Sequence, residues 1–102
     1  MAKLQVERRT HRRFRLCLPV MAKHSDGSEI SAYTRDISSH GICFFVCQPF
    51  TVGSRIQLVL TLPSEITCNG PLLVRCRGRV IRVQENCISA AVAAVIEDYV
   101  IG

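Results

Sequence analysis

From Phe14 onward the chain alternates apolar and polar residues, with Phe14, Leu16, Leu18 and Val20 separated by Arg15, Cys17 and Pro19. A period of two marks a strand with one face buried. Ser25-Asp26-Gly27-Ser28 is a strong turn signal, after which Ile30, Ala32 and Thr34 alternate with Glu29, Ser31, Tyr33 and Arg35. These two segments predict a hairpin. Asp36-Ile37-Ser38-Ser39-His40-Gly41 then breaks the alternation with residues that bond their own backbone or tolerate positive φ, so the chain turns there. A third strand is expected over Ile42 to Cys47, with Pro49 to Gly53 as the next connection. Ile56, Leu58, Leu60 and Leu62 carry a fourth.

The loop from Pro63 to Pro71 leads into Leu72 to Val83, where Val74, Cys76, Gly78 and Val80 face one side and Arg75, Arg77 and Arg79 the other. Gly78 marks a bend or a close approach of two backbones. Gln84-Glu85-Asn86 reads as a turn before a last strand, Cys87 to Ile96. Only Asp98 to Ile101 invites a helical reading. Six short antiparallel strands predict an all-β barrel or sandwich, because closure or stacking removes exposed strand edges.

With 102 residues, 48% of them hydrophobic, the chain has material for one core and one domain. Its net charge of +5 and pI near 9.1 favour an anionic partner. The charge is concentrated: Lys3, Arg8, Arg9, Arg12, Arg13 and Arg15 lie in the first fifteen residues. Residues 1–13 are therefore read as a flexible basic arm that an anion would order, and residues 14–102 as the barrel. There is no apolar leader and no run approaching the ~20 residues that cross a bilayer. The six cysteines sit largely in apolar segments and read as reduced, mostly buried thiols of a cytoplasmic protein.

Two short motifs carry candidate chemistry. Arg9 and Arg13 are spaced Arg-x-x-x-Arg, and an arginine fork can grip a phosphate or the O6/N7 edge of guanine in bidentate fashion. Asp36-x-Ser38-x-x-Gly41 offers a carboxylate able to accept two hydrogen bonds from the donor edge of guanine, and a hydroxyl for phosphate or base. Each motif alone is common in tails and tight turns. Together they gain meaning, because a hairpin of one strand out and one back returns Asp36 to the end of the barrel where Arg13 leaves it.

In this combination the sequence resembles the PilZ family, over Glu7 to about Val95. Arg9, Arg13, Asp36, Ser38 and Gly41 coincide with its Arg-x-x-x-Arg and Asp/Asn-x-Ser-x-x-Gly pattern. The resemblance implies a bacterial, non-enzymatic receptor with a six-stranded antiparallel β-barrel, needing no cofactor beyond its ligand, cyclic di-GMP. It implies that Arg9 and Arg13 contact guanine and phosphate, that Asp36 and Ser38 contact the other guanine face, and that Gly41 permits close approach. Arg8, directly before the motif, is the position at which an arginine accompanies a stacked pair of ligands. A downstream protein would read the resulting change in the arm. The family's C-terminal helix has little room here, since Glu97 to Ile101 could form one turn at most. An apolar end left uncovered would then be closed by a homodimer.

Two readings of other classes compete. Arg75, Arg77, Arg79 and Arg82 form a basic stripe that could face nucleic acid, but no aromatic residue interrupts it to stack on bases, and it reads more simply as a solvated strand face. A PilZ-like adaptor that works by protein contact without nucleotide is the other. Cys43-x-x-x-Cys47, with Cys68, Cys76 and His40, does not have the spacing of a zinc site. His11, His24 and His40 lack a recognisable nucleophile and orienting carboxylate.

Overall fold

A computed structural model describes residues 13–48, 50–85 and 89–101. These form six strands, Pro19–His24 (β1), Glu29–Ile37 (β2), Gly41–Val46 (β3), Arg55–Leu62 (β4), Leu72–Glu85 (β5) and Ala90–Ile101 (β6), and one four-residue helix, Ser64–Thr67 (α1). The strands close into an antiparallel barrel in the order β1-β2-β3-β6-β5-β4. No described helix is long and apolar enough to cross a membrane.

Closure follows from the alternation. Val20 and Ala22 on β1, Ala32 and Thr34 on β2, Ile42, Phe44 and Val46 on β3, Ile56, Leu58 and Leu60 on β4, Val74, Cys76 and Val80 on β5, and Ala90, Val92 and Ala94 on β6 all point inward and are buried. A six-stranded interior is narrow, and the four alanines make room for Phe44 and Leu58. Phe50 joins this core, edge-on to Phe44 at 5.7 Å and stacked on His24 at 4.2 Å between ring centroids. Leu18, Leu62, Leu72 and the Ile66 side chain of α1 pack against it as well.

Several element boundaries differ from those predicted. The first strand begins at Pro19, not Phe14. Phe14 makes an isolated two-bond bridge to Ile37, and further along the buried Thr34 hydroxyl takes the place of ladder bonds, accepting from Leu18 N–H at 2.9 Å and donating to the Leu16 carbonyl. Asp36 and Ile37 belong to β2, so the turn is confined to Ser38–His40. Helix α1 was missed because four residues show no period. Glu97 to Ile101, which had room for one helical turn at most, instead extend β6, with Asp98 to Ile101 paired to Arg77 through Val74. β5 continues through Glu85, where a turn was expected. The cysteines are less buried than expected: Cys43 and Cys76 are buried, but Cys17, Cys47 and Cys68 are exposed, and all five are unpaired thiols. Burial pushes the Cys76 thiol up to about 11. Cys87 lies outside the described residues.

Gly78 stands at an irregularity in the β5–β6 ladder, where Glu97 is the extra residue between the pairs Gly78–Ile96 and Arg77–Asp98. A Cβ there would collide with the Val95 carbonyl oxygen. Only glycine lets the two backbones approach so closely. Gly78→Ala is expected to cost about 1 to 3 kcal/mol, lowering the thermal midpoint by roughly 5 to 15 °C. Scanning calorimetry on parent and variant checks it.

Candidate functional site

The ladder between β2 and β3 slips by one residue, with Thr34 opposite Phe44 but Asp36 opposite Cys43, which leaves Arg35 as the extra residue of a β-bulge. A bulge shifts the in-out alternation of the strand that carries it. Thr34 points into the core, and so does Ile37, opposite Ile42. Asp36 is released from the core position that strict alternation would give it and faces a groove on the outer wall. Because two neighbouring bulge residues share a side, Arg35 Nε can reach Asp36 Oδ2 at 2.8 Å.

Arg13 completes the arrangement. Phe14 N–H donates to the Ile37 carbonyl at 2.8 Å and Ile37 N–H to the Phe14 carbonyl at 3.0 Å, so the residue before Phe14 is delivered beside Asp36. Arg13 Nη1 donates to Asp36 Oδ1 at 2.5 Å. Gly41 supplies the space: a Cβ there would stand 3.6 Å from Arg13 Nη2 and 3.3 Å from the Ala94 carbonyl oxygen. The Asp36 side chain is 7% exposed while its two arginines remain open to solvent. Burial alone would raise its pKa. The hydrogen bond and charge of Arg35, followed by those of Arg13, outweigh burial and hold the carboxyl below its ordinary value.

The Ser38 hydroxyl, read from the sequence as available to phosphate or base, is engaged within its own turn. Its Oγ accepts from the N–H groups of Gly41 at 3.2 Å and His40 at 3.3 Å, while Ser38 N–H donates to the Gly41 carbonyl at 2.9 Å. The hydroxyl holds the turn, and the residue still lines the groove. His40 fastens the turn to β6 through its carbonyl, which accepts from Ile96 N–H at 2.8 Å.

The groove has a volume of about 660 Å³. Arg13, Asp36, Ser38 and Gly41 meet there as predicted, whereas Arg8 and Arg9 lie outside the described residues. Arg35, Cys43, Ile81, Arg82 and Ala93 also line it and were not anticipated. Arg35 was legible as the neighbour of Asp36; Arg82 had been grouped with Arg75, Arg77 and Arg79. That stripe is neutralised in part: Arg77 pairs with Asp98 and Arg79 shares Glu97 with Arg55, while Arg75 makes no ion pair among the described residues. Among the described residues, no three His, Cys, Asp or Glu side chains converge as a metal site would require.

Because the folded pKa of Asp36 is depressed, its contribution to stability is present above the unfolded value near 3.9 and is lost as pH falls through the folded value. Asp36→Asn should cost about 1 to 2 kcal/mol at pH 7. The difference from the parent should shrink below pH 4. Urea unfolding at pH 7 and pH 3 checks both; a gap that is unchanged at pH 3 would mean that the ion pairs add nothing.

The barrel is similar to a solved structure, the inhibitor of motility of Bacillus subtilis (MotI/DgrA), with a TM-score of 0.74 at 20% identity. The likeness covers 89% of this chain and 43% of that one, so this chain spans under half the length of its neighbour. At that identity it is the fold that is shared. No curated protein matches the sequence. The PilZ domain, by contrast, matches residues 7–99, nearly the whole chain and the span of both motifs. The chain belongs to the PilZ domain family.

Proposed function

We propose that the protein is a cyclic di-GMP receptor of the cytoplasm, which turns nucleotide binding into a conformational change read by another protein. The observation that carries this reading is the meeting of Arg13 and Asp36, 23 residues apart, across the side-chain-free Gly41. A buried, ionised carboxylate beside two guanidiniums presents acceptors and donors together. Guanine has the complementary set, with N1–H and the amino group on one edge and O6 and N7 on the other.

Each Asp36 oxygen accepts one hydrogen bond from an arginine, leaving lone pairs for the donor edge of guanine. Arg13 can turn from Asp36 to the O6/N7 edge or to a phosphate without moving Phe14, which its backbone bonds hold in place. Ser38 acts mainly by keeping the turn in shape. Arg9 and Arg8 would add their guanidiniums from the preceding segment, and reorientation of that segment about Phe14 is the change a partner would sense. The neighbouring fold is that of an inhibitor of motility, which supports a regulatory role exerted on a protein target. The family's domains are binding modules, and the role assigned here is likewise reception and not catalysis.

Arg13→Ala and Arg9→Ala should each weaken cyclic di-GMP binding roughly tenfold to a hundredfold, the loss of one bidentate arginine contact. Isothermal titration with cyclic di-GMP, with GTP and cyclic AMP as controls, measures it. Unchanged affinity in both variants would leave an adaptor that works by protein contact. The same titration tests Arg8. Its guanidinium can stack on a guanine plane and offset the phosphates of a second ligand, so two nucleotides per chain are expected, falling to one in Arg8→Leu.

A further inference from the structure

One cross-strand row runs the width of the groove. Asp36 on β2 is opposite Cys43 on β3, Cys43 is opposite Ala93 on β6, and Ala93 is opposite Arg82 on β5. Both ends of the row are made by bulges. On β5 the ladder to β6 slips between Val80, opposite Ala94, and Arg82, opposite Ala93, leaving Ile81 as the extra residue. Val80 and Val83 thus both point inward, and Arg82 points out over the row. This bulge is held in place from the other side too. Val80 N–H donates to the Ser54 carbonyl at 2.9 Å, and the Val80 carbonyl accepts from Gly53 N–H at 2.7 Å.

The row is charged at its ends and uncharged between them. The Cys43 thiol is 5% exposed although it lies outside the core cluster. Burial raises its pKa, against the opposing charges of Arg35, Arg82 and Arg13, so it stays a protonated, small floor. Ala93 adds a methyl group. Arg13 and Arg35 share the carboxylate of Asp36, but Arg82 makes no ion pair among the described residues. Three strand spacings of about 4.8 Å put some 14 Å between the backbones that carry Asp36 and Arg82. A flat ligand lying on Cys43 and Ala93 with a guanine edge on Asp36 therefore reaches Arg82 with its far side.

We infer that Arg82 is a second anchoring point of the groove, which takes a phosphodiester of the bound cyclic dinucleotide at the opposite wall from Arg13. The inference rests on the receptor reading above and adds a contact outside both sequence motifs. An unneutralised guanidinium beside an uncharged floor selects an anion, and the bulge that aims it is fixed by hydrogen bonds before any ligand arrives.

Titration calorimetry with cyclic di-GMP on the parent, Arg82→Gln, Arg82→Lys and Arg13→Ala/Arg82→Gln, at two salt concentrations, is the test. Arg82→Gln should weaken binding about tenfold, keep the parent's thermal midpoint and flatten the salt dependence. Arg82→Lys should recover most of the affinity, because a phosphodiester accepts a point charge. The losses in the double variant should add, since the two arginines hold different groups. A parent that does not bind cyclic di-GMP overturns the receptor reading itself. If the parent binds, then equal affinity in Arg82→Gln, a lowered midpoint that accounts for the loss, or no recovery in Arg82→Lys overturns the anchoring role alone.

Discussion

Strict alternation of side chains is the constraint on which this molecule turns. A closed six-stranded barrel has an inside and an outside, and a strand in unbroken register must send every second residue into the core. On β2 that rule would bury Asp36 beside Thr34, where an ionised carboxylate among apolar side chains would be strongly destabilising. The bulge at Arg35 removes the conflict. It moves Asp36 to the outer wall and lets Ile37 take the next core position. The pairing of Asp36 with Arg13, the seating of the N-terminal segment at Phe14 and the confinement of the turn to three residues all follow from that one-residue shift.

The same device recurs on β5 at Ile81 and on β6 at Glu97. Each extra residue bends its strand, and bending is also what a short barrel needs in order to close. Closure and the shaping of the groove therefore use the same irregularities. Two of them border the groove, so Arg35 and Arg82 stand where the ladder is irregular. The third lies on the far side, where Arg77 pairs with Asp98 and Arg55 and Arg79 share Glu97. A positive potential is left chiefly where a groove exists to use it.

The glycines divide along the same line. Gly41 and Gly78 are needed for the space they leave, the first for the Arg13 guanidinium and the second for the Val95 carbonyl. Gly27 and Gly53 are needed for their positive φ, in the β1–β2 turn and in the loop that pins Val80.

By itself the sequence determined the fold class, the six strands and most of their inward faces, because period-two alternation is a local signal and Val20, Ile42, Phe44, Leu58 and Val92 carry it without ambiguity. It also determined four of the groove's residues, Arg13, Asp36, Ser38 and Gly41, since two motifs at the ends of one hairpin must come together whatever the rest of the barrel does. The extension of β6 through Ile101 was not legible, because Glu97-Asp98-Tyr99 reads as polar chain until β5 lies beside it. That the turn is held by its own side chains was legible, but not that the N–H groups of Gly41 and His40 are the partners of the Ser38 hydroxyl. Arg82 was placed by tertiary structure alone. It is 46 residues from Asp36 in the chain, and only pairing through β3 and β6, with a slip of one residue at each end, sets the two on a single row. Alternation reports which way a side chain faces within its own strand; where neighbouring strands slip is decided by packing and backbone closure across the barrel, and no local pattern encodes it.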